Sequence, residues 1–142
     1  MSVAYTLRPA TPADFDFLFA LHRAAMRAYI EPIWGWHEDW QLEYFHEKYD
    51  SRQRQIIQVE GQDAGVLVVE RHADELYLGL IELLPAFQGR GVGAAIVRGL
   101  IAQARAQGYR EMIGVVALPN PRSIRLHEAL GFTQVGLLAR SG

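Results

Sequence analysis

The chain has 142 residues, half of them hydrophobic and 21% charged, with a formal net charge of −2. That length suits one domain with its own core, expected at 1–142, and the small negative balance offers no electrostatic ground for nucleic acid or an anionic membrane. The chain contains no cysteine, which removes disulfides, thiolate metal sites and a cysteine nucleophile; no metal is expected.

Residues 1–6 lack a basic region followed by an apolar core, and no apolar run approaches the roughly 20 residues that span a bilayer. The cytoplasm is the expected compartment. Residues 3–8 alternate weakly and predict a strand ended by Pro9. Thr11-Pro12 followed by Asp14 predicts a helix start, with Thr as cap and Pro at the first helical position. Phe15, Leu18, Phe19, His22, Ala25, Met26 and Tyr29 then repeat at helical spacing, and Glu31-Pro32 is expected to stop the helix. All three tryptophans follow closely, at Trp34, Trp36 and Trp40. A second helix is expected over 38–49. Strands are expected over 55–59 and 65–71, with Gly61-Gln62-Asp63 as the hairpin turn.

Residues 76–84 are nearly all apolar and predict a central strand buried on both faces. Glu82 is its one charged residue. A buried carboxylate needs a partner, a water or a role; the other reading is that strand alternation turns it to a solvated rim. Residues 92–107 predict a helix on the stripe Val92, Ile96, Leu100, Ile101 and Ala104, stopped by Gly108. A buried strand over 112–117, a short helix opened by Asn120-Pro121 and ended by Gly131, and a last strand over 132–138 complete an α/β domain with a mixed sheet.

Between the central strand and its helix stands Gln88-Gly89-Arg90-Gly91-Val92-Gly93. Glycines let the backbone approach a ligand, and the helix start adds the positive end of its dipole, so the segment predicts a phosphate or pyrophosphate cradle. A tight turn without a ligand is the bland alternative. A nucleotide-triphosphate loop would end in Gly-Lys-Ser/Thr, whereas this one ends Gly93-Ala94-Ala95. A dinucleotide fingerprint fits Gly89-x-Gly91-x-x-Ala94, but the following strand ends Val116-Ala117-Leu118-Pro119, without the acid that would hold a ribose.

Two segments together narrow the choice. Gln88-x-x-Gly91-x-Gly93, after the strand from Ile81, and the helix Asn120-Pro121-Arg122-Ser123 through Leu126-His127 to Gly131-Phe132 resemble the paired motifs of the GNAT acetyltransferase superfamily. The resemblance extends through the element order from Val3 to Phe132. It implies the acyl-CoA N-acyltransferase fold, with a mixed central β-sheet splayed at the cofactor site and about four flanking helices.

The resemblance implies acetyl-CoA as co-substrate. Its pyrophosphate would lie on the amides of Gln88, Gly89, Arg90, Gly91, Val92, Gly93 and Ala94, with Arg90 either meeting a phosphate or standing in solvent. Its pantetheine arm would lie along Leu83 and Leu84, with Asn120 on the other side; Asn120 would equally cap its helix. The implied reaction is direct attack of a primary amine, on a small molecule or peptide, in a ternary complex. His127 stands where the family usually has tyrosine as general acid. The carboxylate that many members carry earlier in the central strand is absent at Leu78 and Gly79, which leaves Glu82 as the candidate base. Glu31, Trp34 and Trp36 are candidate acceptor contacts, although tryptophans in a two-helix lid also serve as packing. Only residues 133–142 follow Phe132, so the family's last strand is expected to be short, missing or supplied by a partner copy in a homodimer. A catalytically silent acyl-CoA-binding module used in sensing is the competing function.

Overall fold

The computed structural model describes residues 4–49 and 53–114. The expected helix at Asn120 and the last strand lie outside the described residues. In chain order the elements are β1 (Thr6–Pro9), α1 (Phe15–Trp34), α2 (Glu38–Lys48), β2 (Arg54–Val59), β3 (Gln62–Arg71), β4 (Glu75–Leu83), α3 (Val92–Ala106) and β5 (Glu111–Gly114). The sheet runs in sequence order from β1 to β5. The first three pairings are antiparallel, and α3 carries the chain over to β5, which pairs parallel to β4 from Glu75↔Glu111 to Leu78↔Gly114. The splay expected further along β4 and β5 lies outside the described residues.

Two apolar layers enclose the sheet. Ile57, Leu67, Leu76 and Leu78 pack on one face against Val92, Ile96, Val97, Leu100 and Ala104 of α3. Ile56 and Val66 pack on the other face against Leu18 and Leu21 of α1, with Phe45 of α2 and Leu80 at the margin. None of the described helices is long and apolar enough to cross a membrane.

Two local readings are corrected. The β2–β3 hairpin turns at Glu60-Gly61, because Val59 already pairs with Gln62. Both turn residues have positive φ, 55° and 76°, the geometry that matches the right-handed twist of the flanking strands. Asp63 is therefore a strand residue. Helix α1 also runs through Pro32 to Trp34. The proline falls in the last turn, where it forgoes a single intrahelical bond. The end is set by Gly35, with φ 74°, whose N–H donates to the Glu31 carbonyl at 2.9 Å.

The start of α1 is fixed by a buried carboxylate. Asp14 accepts two bonds from the Arg8 guanidinium at 2.8 and 2.9 Å and one from the Thr11 N–H at 2.8 Å. Arg8 also reaches Asp63 at 3.1 Å. One guanidinium thus ties β1 to the head of α1 and the start of β3.

Register shifts interrupt the ladders next to the site. In β3, Ile57 pairs with Gly65 and Gln58 with Asp63, leaving Ala64 extra. In β4, Val68 pairs with Leu80 and Val69 with Leu78, leaving Gly79 extra. The second bulge exchanges the faces of β4: Leu76 and Leu78 face α3, whereas Leu80 faces α1 and α2.

Candidate active site

Past the bulge, Glu82 shares the face of Leu80, turned toward α1 and α2. It is 8% exposed. Its Oε2 lies 3.6 Å from His22 Nδ1, which projects from α1. The His22 ring lies against both Phe45 and Trp36, at centroid distances of 5.8 and 5.9 Å. The Trp36 indole N–H donates to Glu38 Oε2 at 2.6 Å, and Glu38 also pairs with Arg23. The Glu38 carboxyl is held below its usual range, first by that indole bond and then by Arg23, against the opposing effect of desolvation. A buried carboxylate, an imidazole and an indole thus converge on one side of β4.

The end of β4 leads into the glycine turn. Leu84 donates its N–H to the Ala64 carbonyl at 2.8 Å. By the alternation of an antiparallel ladder, the backbone groups of Ile81 and Leu83 then point away from β3, toward the β5 edge. The Gln88 side chain donates to the Leu83 carbonyl at 2.9 Å and so fastens the loop to the strand. A short 3-10 turn at Pro85–Phe87 buries Phe87, and Arg90 lies over that ring at 5.3 Å. Gly89 and Gly91 take positive φ, 75° and 82°. Gly91 is the N-cap of α3, with no side chain bonded at the cap, and the first intrahelical bond is Ala95 N–H to the Gly91 carbonyl at 3.0 Å. The N–H groups of Val92, Gly93 and Ala94 are consequently unsatisfied within the helix. A Cβ placed on Gly89 would meet nothing within 4 Å, so the space beside the turn is open. These features suit a diphosphate.

The remaining candidates fall in several places. Val92 is buried in the core and offers the site only its backbone, and Leu84 packs at the seam of both apolar layers. Trp36 belongs to the His22–Glu82 group. Trp34, by contrast, is 64% exposed at the end of α1, and Glu31 is paired with Arg27 at 2.6 Å on the surface of that helix. Asn120 and His127 lie outside the described residues. Among the described residues, no cluster of three or more histidine, aspartate or glutamate side chains is arranged for a metal ion.

Sequence reading did not single out His22 for the site. Its only signal was a polar residue within the stripe of α1 that otherwise carries Leu18 and Met26 to the core.

A sequence model of the acetyltransferase (GNAT) family matches residues 16–132, and the chain belongs to that family. Over 148 aligned residues it is 29% identical to phosphinothricin N-acetyltransferase of Streptomyces viridochromogenes, covering 96% of this chain and 78% of that protein. A 58-residue stretch is 40% identical to the L-methionine sulfoximine/L-methionine sulfone acetyltransferase of Salmonella typhimurium, covering 41% of this chain and 34% of the other. In fold it is similar to the PaiA N-acetyltransferase of Thermoplasma acidophilum in complex with coenzyme A, with a TM-score of 0.73 at 14% identity over 92% of this chain and 91% of that one.

Proposed function

We propose that the chain transfers the acetyl group of acetyl-CoA to a primary amine by direct attack in a ternary complex, with Glu82 as the base. The observation that carries this reading is the burial of Glu82 (8% exposed) on the inner face of the strand that feeds the glycine turn. In the proposed complex the N–H groups of Val92, Gly93 and Ala94, with the turn at Gly89, hold the diphosphate. The backbone of Ile81 and Leu83 guides the pantetheine arm along the β5 edge. Asn120 is assigned to the far side of that arm.

Glu82 takes a proton from the acceptor ammonium and leaves a neutral amine. The amine nitrogen bonds to the thioester carbonyl carbon, and the carbon–sulfur bond breaks. The acylated nitrogen gives up its second proton as the amide forms, and the departing sulfur takes one from His127, the proposed donor, which regains it from that nitrogen. The acceptor approaches from the α1 and α2 side, past Trp36 and Glu38. Aromatic faces beside carboxylates suit a small cationic amine.

The test is release of free thiol from acetyl-CoA in the presence of primary amines, with phosphinothricin and L-methionine sulfone first in the panel and an N-terminal peptide amine included. Acceptor-dependent release is expected. Acetyl-CoA binding with no release for any amine would support a silent acyl-CoA-binding module instead.

A further inference from the structure

We propose that His22 is a positioning residue that carries the acceptor's proton from Glu82 to solvent. The inference rests on Glu82 as the base. Its starting point is stoichiometry: an ammonium and a thioester give an amide, a thiol and one free proton. Deprotonation of the acceptor ammonium leaves that proton on Glu82, and the carboxylate must lose it before the next turnover.

The Glu82 side chain is only 7% exposed, whereas that of His22 is 25% exposed and brings Nδ1 to 3.6 Å from Oε2. The separation slightly exceeds a direct hydrogen bond and falls within reach of a small ring rotation. Glu82 passes its proton to Nδ1 and returns to carboxylate. The imidazolium then releases a proton to the solvent that reaches a quarter of the side chain and returns to neutral imidazole. Imidazole is the side chain that does this near neutral pH.

The surroundings favour this role over plain packing. Phe45 and Trp36 lie against the ring, and neither offers a group that competes for Nδ1. Among the described residues, Glu38 of α2 and Arg23 of α1 are engaged with each other, Glu38 also holding the Trp36 indole, and Arg54 of β2 lies over the Phe45 ring at 5.7 Å. His46 lies elsewhere, against Phe15 at 4.5 Å. A ring needed only to fill space would serve as well as phenylalanine and would not turn a nitrogen to the one buried acid of β4.

The test compares His22→Gln and His22→Asn with the unaltered protein and with Glu82→Gln. It measures kcat, KM for acetyl-CoA, acetyl-CoA affinity by calorimetry, and rescue by a series of substituted imidazoles of graded basicity. Expected for both His22 variants are a kcat lower by about 10- to 100-fold, within or somewhat below the usual range for a proton-transfer group, and acetyl-CoA affinity within about twofold. Added imidazoles restore kcat, more strongly as their basicity rises, and do not restore Glu82→Gln. Unchanged kcat in His22→Gln, or rescue that ignores basicity and follows only size, overturns the relay. If Glu82→Gln turns over normally, the assignment of the base fails. If only the His22 variants behave normally, the base stands and the relay alone is lost.

Discussion

Gly65 and Glu82 are locked together across the β3–β4 ladder: a Cβ built on Gly65 would lie 2.2 Å from the Glu82 carbonyl oxygen and 2.8 Å from a Leu83 methyl. The first contact is with backbone, which cannot swing aside. Replacing Gly65 with Ala must push β4 outward at the site. Gly65→Ala is expected to lower stability by about 1–3 kcal/mol, the usual range for overpacking, and to lower turnover as well. Urea unfolding and an acetyl-transfer assay check both; a variant matching the parent in each would show that the strands tolerate the displacement.

The bulge at Gly79 is expected to matter for its length and not for its side chain. A Cβ there would meet Val68 at 3.6 Å, an ordinary contact. Gly79→Ala should fold with stability within about 1 kcal/mol of the parent, as for a mild strand substitution. Deleting Gly79 should instead close the bulge while keeping the pairs of Leu78 with Val69 and Leu80 with Val68, so that Leu80 and Glu82 stay on the face of α1 and α2; the variant is expected to fold cooperatively, with turnover lowered because the local kink and twist that aim Glu82 are lost. Thermal unfolding followed by circular dichroism, with an acetyl-transfer assay on the same preparations, checks both, and a deletion variant with parental turnover would contradict the role given to the bulge.

The same bulge explains how much of the site was legible in the sequence. Counting by twos from Leu76 puts Glu82 on the face of Leu78, toward α3. The bulge reverses that count, and nothing in an apolar run marks where an extra residue will be taken up. The meeting of Glu82 with His22 was hidden for this reason, and His22 read as one more position in the stripe of α1. Where local chemistry decides, the reading held: the stripe of α3 and the stop at Gly108 follow from residues within or next to the element. It failed where tertiary context decides. Glu60 adopts positive φ because strand pairing closes the hairpin there, and Pro32 is accommodated because it falls in the final turn of α1.

Acid sensitivity should trace in part to Asp14. Its carboxyl is lowered to about 2, chiefly by the Arg8 guanidinium and further by the Thr11 N–H, against a desolvation cost. A depressed carboxyl stabilises the fold above its unfolded pKa near ~3.9, and that contribution, on the order of 1–2 kcal/mol, is lost as pH falls from about 4 to about 2. Asp14→Asn should therefore be less stable at neutral pH and show a flatter acid limb. Unfolding free energies measured from pH 7 to pH 2 check this, and parallel curves for the two proteins would contradict it.

Trp36 is expected to act on the acceptor and not on the donor. Trp36→Phe keeps an aromatic face beside His22 but removes the N–H that Glu38 accepts at 2.6 Å. The Glu38 carboxylate is exposed, so water replaces part of the lost bond and the effect stays modest. A rise in acceptor KM of several-fold, with acetyl-CoA affinity unchanged, is the expected outcome in steady-state kinetics. A loss confined to acetyl-CoA affinity would place Trp36 on the other side of the reaction.

The central claim is that the buried carboxylate on β4 is the base for acetyl transfer. It is tested most directly by Glu82→Gln, an exchange of nearly equal size and shape, assayed with the best acceptor from the amine panel and with acetyl-CoA affinity measured on the same preparation. The account predicts a kcat lower by roughly 10²- to 10⁴-fold and acetyl-CoA affinity within about twofold of the parent. Turnover at the parental rate with the same acceptor would contradict it.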